Sequence, residues 1–293
     1  MTFPLAVYIG ALAIGASIGV LTGMFGVGGG FLITPLLNVL LGVPISIAVG
    51  TGVVQILGVS TAGIYRRRGE GLIDYKMALI LFGGNYVGVR LGARTLGWLN
   101  GMGSISLASH QAPAGEVYTL LIFAVLLIGI AAWMFVDTSR SSAEEPRQGL
   151  FARFHIPPYT RFPSVGETPL SIPILSYFGL VLGFLTGLLG IGGGVILLPA
   201  LVYLVGMRTH CAAATSLVIV WLTSFVATIT HSLASNTDLL LAVPLLVGGS
   251  LGLQMGVNIC NRTKGARLRR YFCFVVLMAV VLIVGKLGVL ALF

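Results

Sequence analysis

The chain has 293 residues, of which 57% are hydrophobic and only 9% charged, against about a quarter charged in an ordinary soluble domain. That balance excludes a water-soluble enzyme and a disordered tail, and the 41 glycines fall in irregular clusters without the three-residue period of collagen. Seventeen Lys and Arg against eight Asp and Glu give a net charge of +9, but the basic residues sit mostly in short loops between apolar runs. There they orient a protein in a bilayer, and no nucleic-acid partner is expected.

Apolar segments follow one another in chain order at residues 4–24, 29–42, 46–65, 75–98 and 117–136, then at 174–189, 193–206, 211–231, 238–259 and 271–292. The third, fourth and fifth of each set are long enough to cross about 30 Å of hydrocarbon. The first two of each set are joined by a glycine motif, as two short spans or a re-entrant hairpin. The stretch Met1-Thr2-Phe3-Pro4 lacks the basic start of a signal peptide.

The two sets are copies. GVLTGMFGVGGGFLITP at Gly19 to Pro35 returns as GFLTGLLGIGGGVILLP at Gly183 to Pro199, 164 residues further on. The register then continues without a gap: Thr51 falls on Thr215, Asp74 on Asp238, and Gly84, Gly88 and Gly92 on Gly248, Gly252 and Gly256. Leucine and alanine matches are cheap in such a composition, but a shared glycine cluster followed by proline in one register is not. The fold class expected is therefore an all-α polytopic membrane protein of about ten helical segments. It is built from two repeats, residues 1–136 and 173–293, each with three long spans and a glycine-motif pair.

An odd number of crossings per unit inserts the second unit upside down, and equivalent loops should then differ in basic charge. Arg66-Arg67-Arg68 of the first unit matches the His231-Ser232-Leu233 stretch, which has no Lys or Arg. Conversely, Arg262, Lys264, Arg267, Arg269 and Arg270 match a stretch, Asn100 to Gly115, with none. Inverted repeats in the cytoplasmic (inner) membrane are expected, with both termini on the non-cytoplasmic face. The linker, 137–172, holds four of the eight acids and few apolar residues, so a cytoplasmic loop without a folded module is expected there.

Candidate site residues follow from what an anion needs inside a membrane. Gly28, Gly29, Gly30 and their counterparts Gly192, Gly193, Gly194 leave backbone N–H groups unshielded where a helix begins, at the positive end of its dipole. Close helix packing through small residues is the competing explanation. Arg90 lies within the fourth segment with no acid nearby in sequence, so it either meets an anionic substrate or snorkels to headgroups. Gln254 takes the equivalent position. Thr51, Gln55 and Asn85 in the first unit, and Thr215 and Ser216 in the second, are polar groups on spanning segments. They can ligate an oxyanion, or the hydroxyls can bond their own helix backbone. Asp74 and Asp238 fit helix N-caps.

None of the eight carboxylates falls in the middle of an apolar segment, which argues against a cation or proton relay. No Ser/His/Asp grouping, HExxH or Cys/His cluster is present either, so neither catalysis nor a metal or other cofactor is expected. A membrane enzyme on lipid-linked substrates would need a reactive constellation that this sequence does not offer; a non-transporting scaffold or sensor is a further alternative, favoured if no substrate binds or moves.

The duplicated GxxxGxGGGxxxxPxL, at Gly23 to Leu37 and Gly187 to Leu201, resembles the TauE/SafE family of sulfite exporter-like permeases, also called the 4-toluene sulfonate uptake permease family. AVGTG (Ala48 to Gly52) and AAATS (Ala212 to Ser216) are similar to that family's pattern as well. The resemblance implies a permease for small sulfur-containing anions such as sulfite or sulfoacetate. With the duplication, it points to a secondary transporter with a central anion site and alternating access. An anion channel, or a permease for a carboxylate, is the alternative. Partners expected are the small anion, the lipid bilayer and, through glycine-rich helices, a homodimer.

Overall fold

The computed structural model describes residues 4–27, 30–107, 110–140, 149–154, 156–190 and 194–292. They form ten α-helices: α1 (Leu5–Phe25), α2 (Gly30–Leu41), α3 (Ile45–Arg67), α4 (Tyr75–Asn100), α5 (Ala114–Arg140), α6 (Ile172–Leu189), α7 (Gly194–Ala200), α8 (Thr209–Leu233), α9 (Leu239–Arg262) and α10 (Gly265–Leu292). A π-helical turn, Leu201–Val205, prolongs α7. Two short antiparallel hairpins complete the described chain, β1 (Ser104–Leu107) with β2 (His110–Pro113) and β3 (Tyr159–Phe162) with β4 (Gly166–Ser171). Six helices, α1, α3, α6, α8, α9 and α10, are long and apolar enough to cross a membrane. The 26-residue α4 matches them in length but carries Lys76, Arg90 and Arg94.

Local chemistry sets the helix boundaries. Asp74 and Asp238 are N-caps, as their positions predict: their carboxylates accept the Met77 N–H (2.9 Å) and the Leu241 N–H (3.1 Å). At the other kind of end, α1 and α6 stop at Gly26 and Gly190, both left-handed with φ of 67°. Such a φ is strained for any residue with a Cβ.

The bundle is held by two glycine zippers that cross between the halves. α1 lies on α9, with Gly15, Gly19 and Gly23 seated on the backbone of Leu245, Gly249 and Leu253, while Gly248, Gly252 and Gly256 meet that of Leu12, Ala16 and Val20. α6 lies on α4 in the same manner, Gly179, Gly183 and Gly187 against Leu81, Asn85 and Val89. Residue numbers rise together along both partners, so each pair runs parallel. Small residues let two helices approach to backbone contact and gain dispersion that lipid cannot replace. These glycine stripes, which suggested a homodimer, are therefore occupied within the chain.

α2 folds back along α1: a Cβ at Gly10, near the start of α1, would lie 2.7 Å from Leu41 Cδ2 at the end of α2. The pair is a hairpin that returns to the end of the bundle it left. Outward faces carry exposed Val243, Val247, Leu251, Met255 and Ile259 at four-residue spacing on α9, and Leu79, Val87 and Leu91 on α4. Buried positions hold Thr51, Gln55, Asn85, Thr215 and Ser216. Apolar side chains outside and polar ones within is the order that a lipid solvent favours.

The linker departs from expectation. Residues 141–148 and 155 lie outside the described residues, but 149–154 and 156–171 contain a 3-10 turn and the β3–β4 hairpin. Phe162 and Leu170 are buried beneath it. Ser164 Oγ donates to Asp74 Oδ2 (2.6 Å) and Lys76 Nζ to the Arg161 carbonyl (3.0 Å), pinning the hairpin on the start of α4. Few apolar residues suffice because the helix ends below supply the rest of the packing surface.

Candidate functional site

The two glycine motifs meet in the interior. Gly26 N–H closes the end of α1 on Thr22 O, and Gly190 N–H closes α6 on Thr186 O, both at 2.8 Å. The Thr22 and Thr186 hydroxyls bond Ile18 O and Leu182 O, both at 2.9 Å. Beyond these turns α2 starts at Gly30 and α7 at Gly194, and Gly194 sits directly against the Val27 carbonyl. Thr34 Oγ1 of α2 donates to Leu189 O at the end of α6 (3.3 Å), and Ser216 Oγ of α8 to Gly26 O (2.8 Å). Gly190 in turn presses on Val49 of α3. Ends of α1 and α6, starts of α2 and α7, and one turn each of α3 and α8 thus share one place. Gly28, Gly29, Gly192 and Gly193 lie outside the described residues.

The other predicted residues separate into three kinds. Thr51 and Thr215 work across the halves: Thr51 Oγ1 accepts the Asp238 N–H and Thr215 Oγ1 accepts the Asp74 N–H, both at 3.0 Å. Each hydroxyl therefore ties a span of one half to a helix start of the other. Gln55 and Asn85 are fully buried, and both polar atoms of each amide have no hydrogen-bond partner among the described residues. Gln55 Nε2 would lie 2.6 Å from a Cβ at Gly249, so the glycine makes room for the amide beside the α1–α9 zipper. Buried unpaired amides cost on the order of 1–3 kcal/mol each and call for an explanation.

Arg90 and Gln254 form the third kind. Both are exposed on the outer faces of α4 and α9, with the Arg90 guanidinium 4.7 Å from the centre of the Tyr86 ring. The helical period explains this, since positions 84, 88 and 92 face α6 and turn position 90 outward. The structure does not bring Arg90 or Gln254 to the interior.

Sequence reasoning missed two residues. Arg67, in a triplet read only as a loop charge, is fully buried, and its Nη2 donates to Gly23 O at 2.7 Å. His231 is also fully buried, with Nε2 3.1 Å from Gly187 O. The offset that relates the two glycine motifs carries Arg67 onto His231 and Gly23 onto Gly187. The register set the two loops side by side, but their charge was read there as a topology signal alone.

Helices long and apolar enough to cross a membrane, mostly apolar outward and centred on paired glycine turns, define a multi-pass membrane protein. The chain belongs to the sulfite exporter TauE/SafE family, whose pattern matches residues 11–283. It is 27% identical over 276 residues to the probable membrane transporter protein YunE of Bacillus subtilis, covering 90% of each chain. It is 26% identical to the probable membrane transporter protein YjnA of the same organism, over 92% of this chain and 97% of that one. A probable membrane transporter protein of Xylella fastidiosa is 26% identical over 93% of both. No solved structure matches. The protein is a membrane transporter.

Proposed function

We propose that the protein is a secondary transporter that moves a small sulfur-containing anion, such as sulfite or a short organosulfonate, across the cytoplasmic membrane. The observation that carries this is the meeting of the two glycine motifs, Gly194 at the start of α7 on the Val27 carbonyl. Unshielded amides at a helix start favour negative charge, and Gln55 and Asn85 hold unspent donors in the same interior. The sulfur class follows the family, whose description is a sulfite exporter.

Alternating access follows from two inverted repeats, residues 1–136 and 173–293, rocking about this centre. Reciprocal contacts support that reading. α1 pairs with α9 as α6 pairs with α4, and Thr51 caps Asp238 as Thr215 caps Asp74. The Arg66–Arg68 loop, the end of α9 and the linker hairpin share one end of the bundle, through Arg66 to Asn258 (3.5 Å), Asn261 to Glu70 (3.0 Å) and Ser164 to Asp74. By the excess of Lys and Arg that end is cytoplasmic, which leaves both termini on the opposite face.

Proteoliposomes preloaded with sulfite, sulfoacetate, taurine, sulfate or acetate test the assignment by counterflow of the labelled anion. Accelerated exchange of a sulfur oxyanion, lost in Gln55→Leu, is the expected result. Exchange of acetate alone would overturn the sulfur assignment and leave an anion carrier. Conductive flux without counterflow would replace the carrier by a channel.

A further inference from the structure

Arg67 is the largest fully buried side chain of the described structure. Its guanidinium makes one hydrogen bond, to Gly23 O, while Nε and Nη1 have no partner among the described residues. No ion pair compensates it there. Glu70, the nearest acid in sequence, accepts from Asn261 through Oε1 and makes no ion pair with the arginine among the described residues. The neighbouring arginines point away: Arg66 reaches Asn258, and Arg68 lies 4.1 Å over the Tyr65 ring. A permanent charge held in the interior of a membrane bundle without a counter-ion is costly and is not kept for packing alone.

The molecule contains its own control. At the equivalent place in the second half, His231 performs the same contact on Gly187 O at 3.1 Å. One ring nitrogen suffices to hold that helix end. Capping therefore requires neither a full charge nor a second and third donor, and the surplus in Arg67 matches the planar fork that binds oxyanions. Gly23 lies one turn before Gly26, where the first glycine motif opens, so the guanidinium is anchored beside the proposed site.

We propose that Arg67 is a ligand of the transported anion, donating the second Nη2–H together with the adjoining Nε–H or Nη1–H to two of its oxygens once the closed packing around it opens. The proposal rests on the anion-transporter reading and assigns the positive charge that reading lacks once Arg90 is seen to face outward. His231, its counterpart, holds the other half with one nitrogen and binds no anion in this scheme.

Arg67→His gives the first half the cap that the second half already uses. Binding of sulfite to purified protein is measured by calorimetry at pH 8, where free imidazole is neutral, beside unfolding temperature. The expected result is a Kd raised at least tenfold with the unfolding temperature of the unliganded protein little changed. Equal sulfite affinity in wild type and Arg67→His would overturn the proposal and leave Arg67 a cap. If Arg67→His does not fold, Arg67→Lys and Arg67→Gln decide: lysine keeps the charge and retains binding within about tenfold, whereas glutamine loses it. Equal binding by those two overturns the proposal. Failure of wild type to bind sulfite, sulfoacetate or acetate sinks the anion-transporter reading, and this assignment with it.

Discussion

Replacing Gly88 by alanine adds one methyl group to a zipper that has no room for it. The new Cβ would lie 2.7 Å from Phe184 N and closer still to the Leu180 carbonyl oxygen. Both obstacles are backbone, so no side chain can swing aside. Restoring an ordinary contact of 3.4 Å separates α4 from α6 by about 0.7 Å at the nitrogen alone. A gap of about 0.5–1 Å forfeits roughly a quarter to a half of each dispersion contact along the seam, and overpacking of this kind costs about 1–3 kcal/mol. Gly83, on the same helix, has nothing within 4 Å of its would-be Cβ. There alanine should gain the helix-propensity difference, up to about 1 kcal/mol. Thermal unfolding in detergent should therefore shift in opposite directions, Gly88→Ala down by about 2–12 °C and Gly83→Ala up by at most about 4 °C, at roughly 2–4 °C per kcal/mol near this size. Shifts of the same sign and size would refute the zipper as the source of cohesion.

Thr51→Val and Thr215→Val each remove an acceptor from a helix start in the opposite half, so each should lower stability by about 1 kcal/mol, and the two effects should match; a loss of transport with unchanged unfolding would instead make these hydroxyls ligands. Gln55→Leu deletes an amide with no partner among the described residues, so unfolding temperature should hold or rise while anion exchange falls, and exchange at the wild-type rate would remove Gln55 from the site. Ser164→Ala removes the hydroxyl bond of the linker hairpin to Asp74, and cleavage by a protease within 156–171 should quicken without loss of the spans; unchanged cleavage would show that the Lys76 bond and the packing of Phe162 and Leu170 hold the hairpin without it.

Helix positions were legible because apolar runs end at residues with a physical reason to end them: Pro44, Asp74, Asp238, and the glycines at 26 and 190. The duplication is a reading of the sequence itself, carried by rare residue types in one register. Helix faces were not. A span in lipid is apolar on every side, so the amphipathic signal that orients a soluble helix is missing, and Arg90 and Gln254 were placed inward by chemistry alone. The glycines one helical turn apart were the orienting mark, since only the packed side needs them. Arg67 escaped notice because three arginines in a row read as a loop, although α3 runs through the second of them. The β3–β4 hairpin escaped notice because its packing surface comes from helix ends distant in sequence.

The crossed seams have a consequence for how the protein is made. When α6 leaves the ribosome its partner α4 is already in the membrane, but α1 must wait for α9, about 210 residues behind it. At about 5–20 residues per second that is roughly 10–40 s during which the stripe of Gly15, Gly19 and Gly23 faces lipid or an insertion chaperone instead of its mate. The first half cannot complete its own seam, whatever the quality of its sequence. A chain truncated before α9 should keep α1 loosely held and be cleared by membrane proteases, while two separately synthesised halves should recover activity only when expressed together.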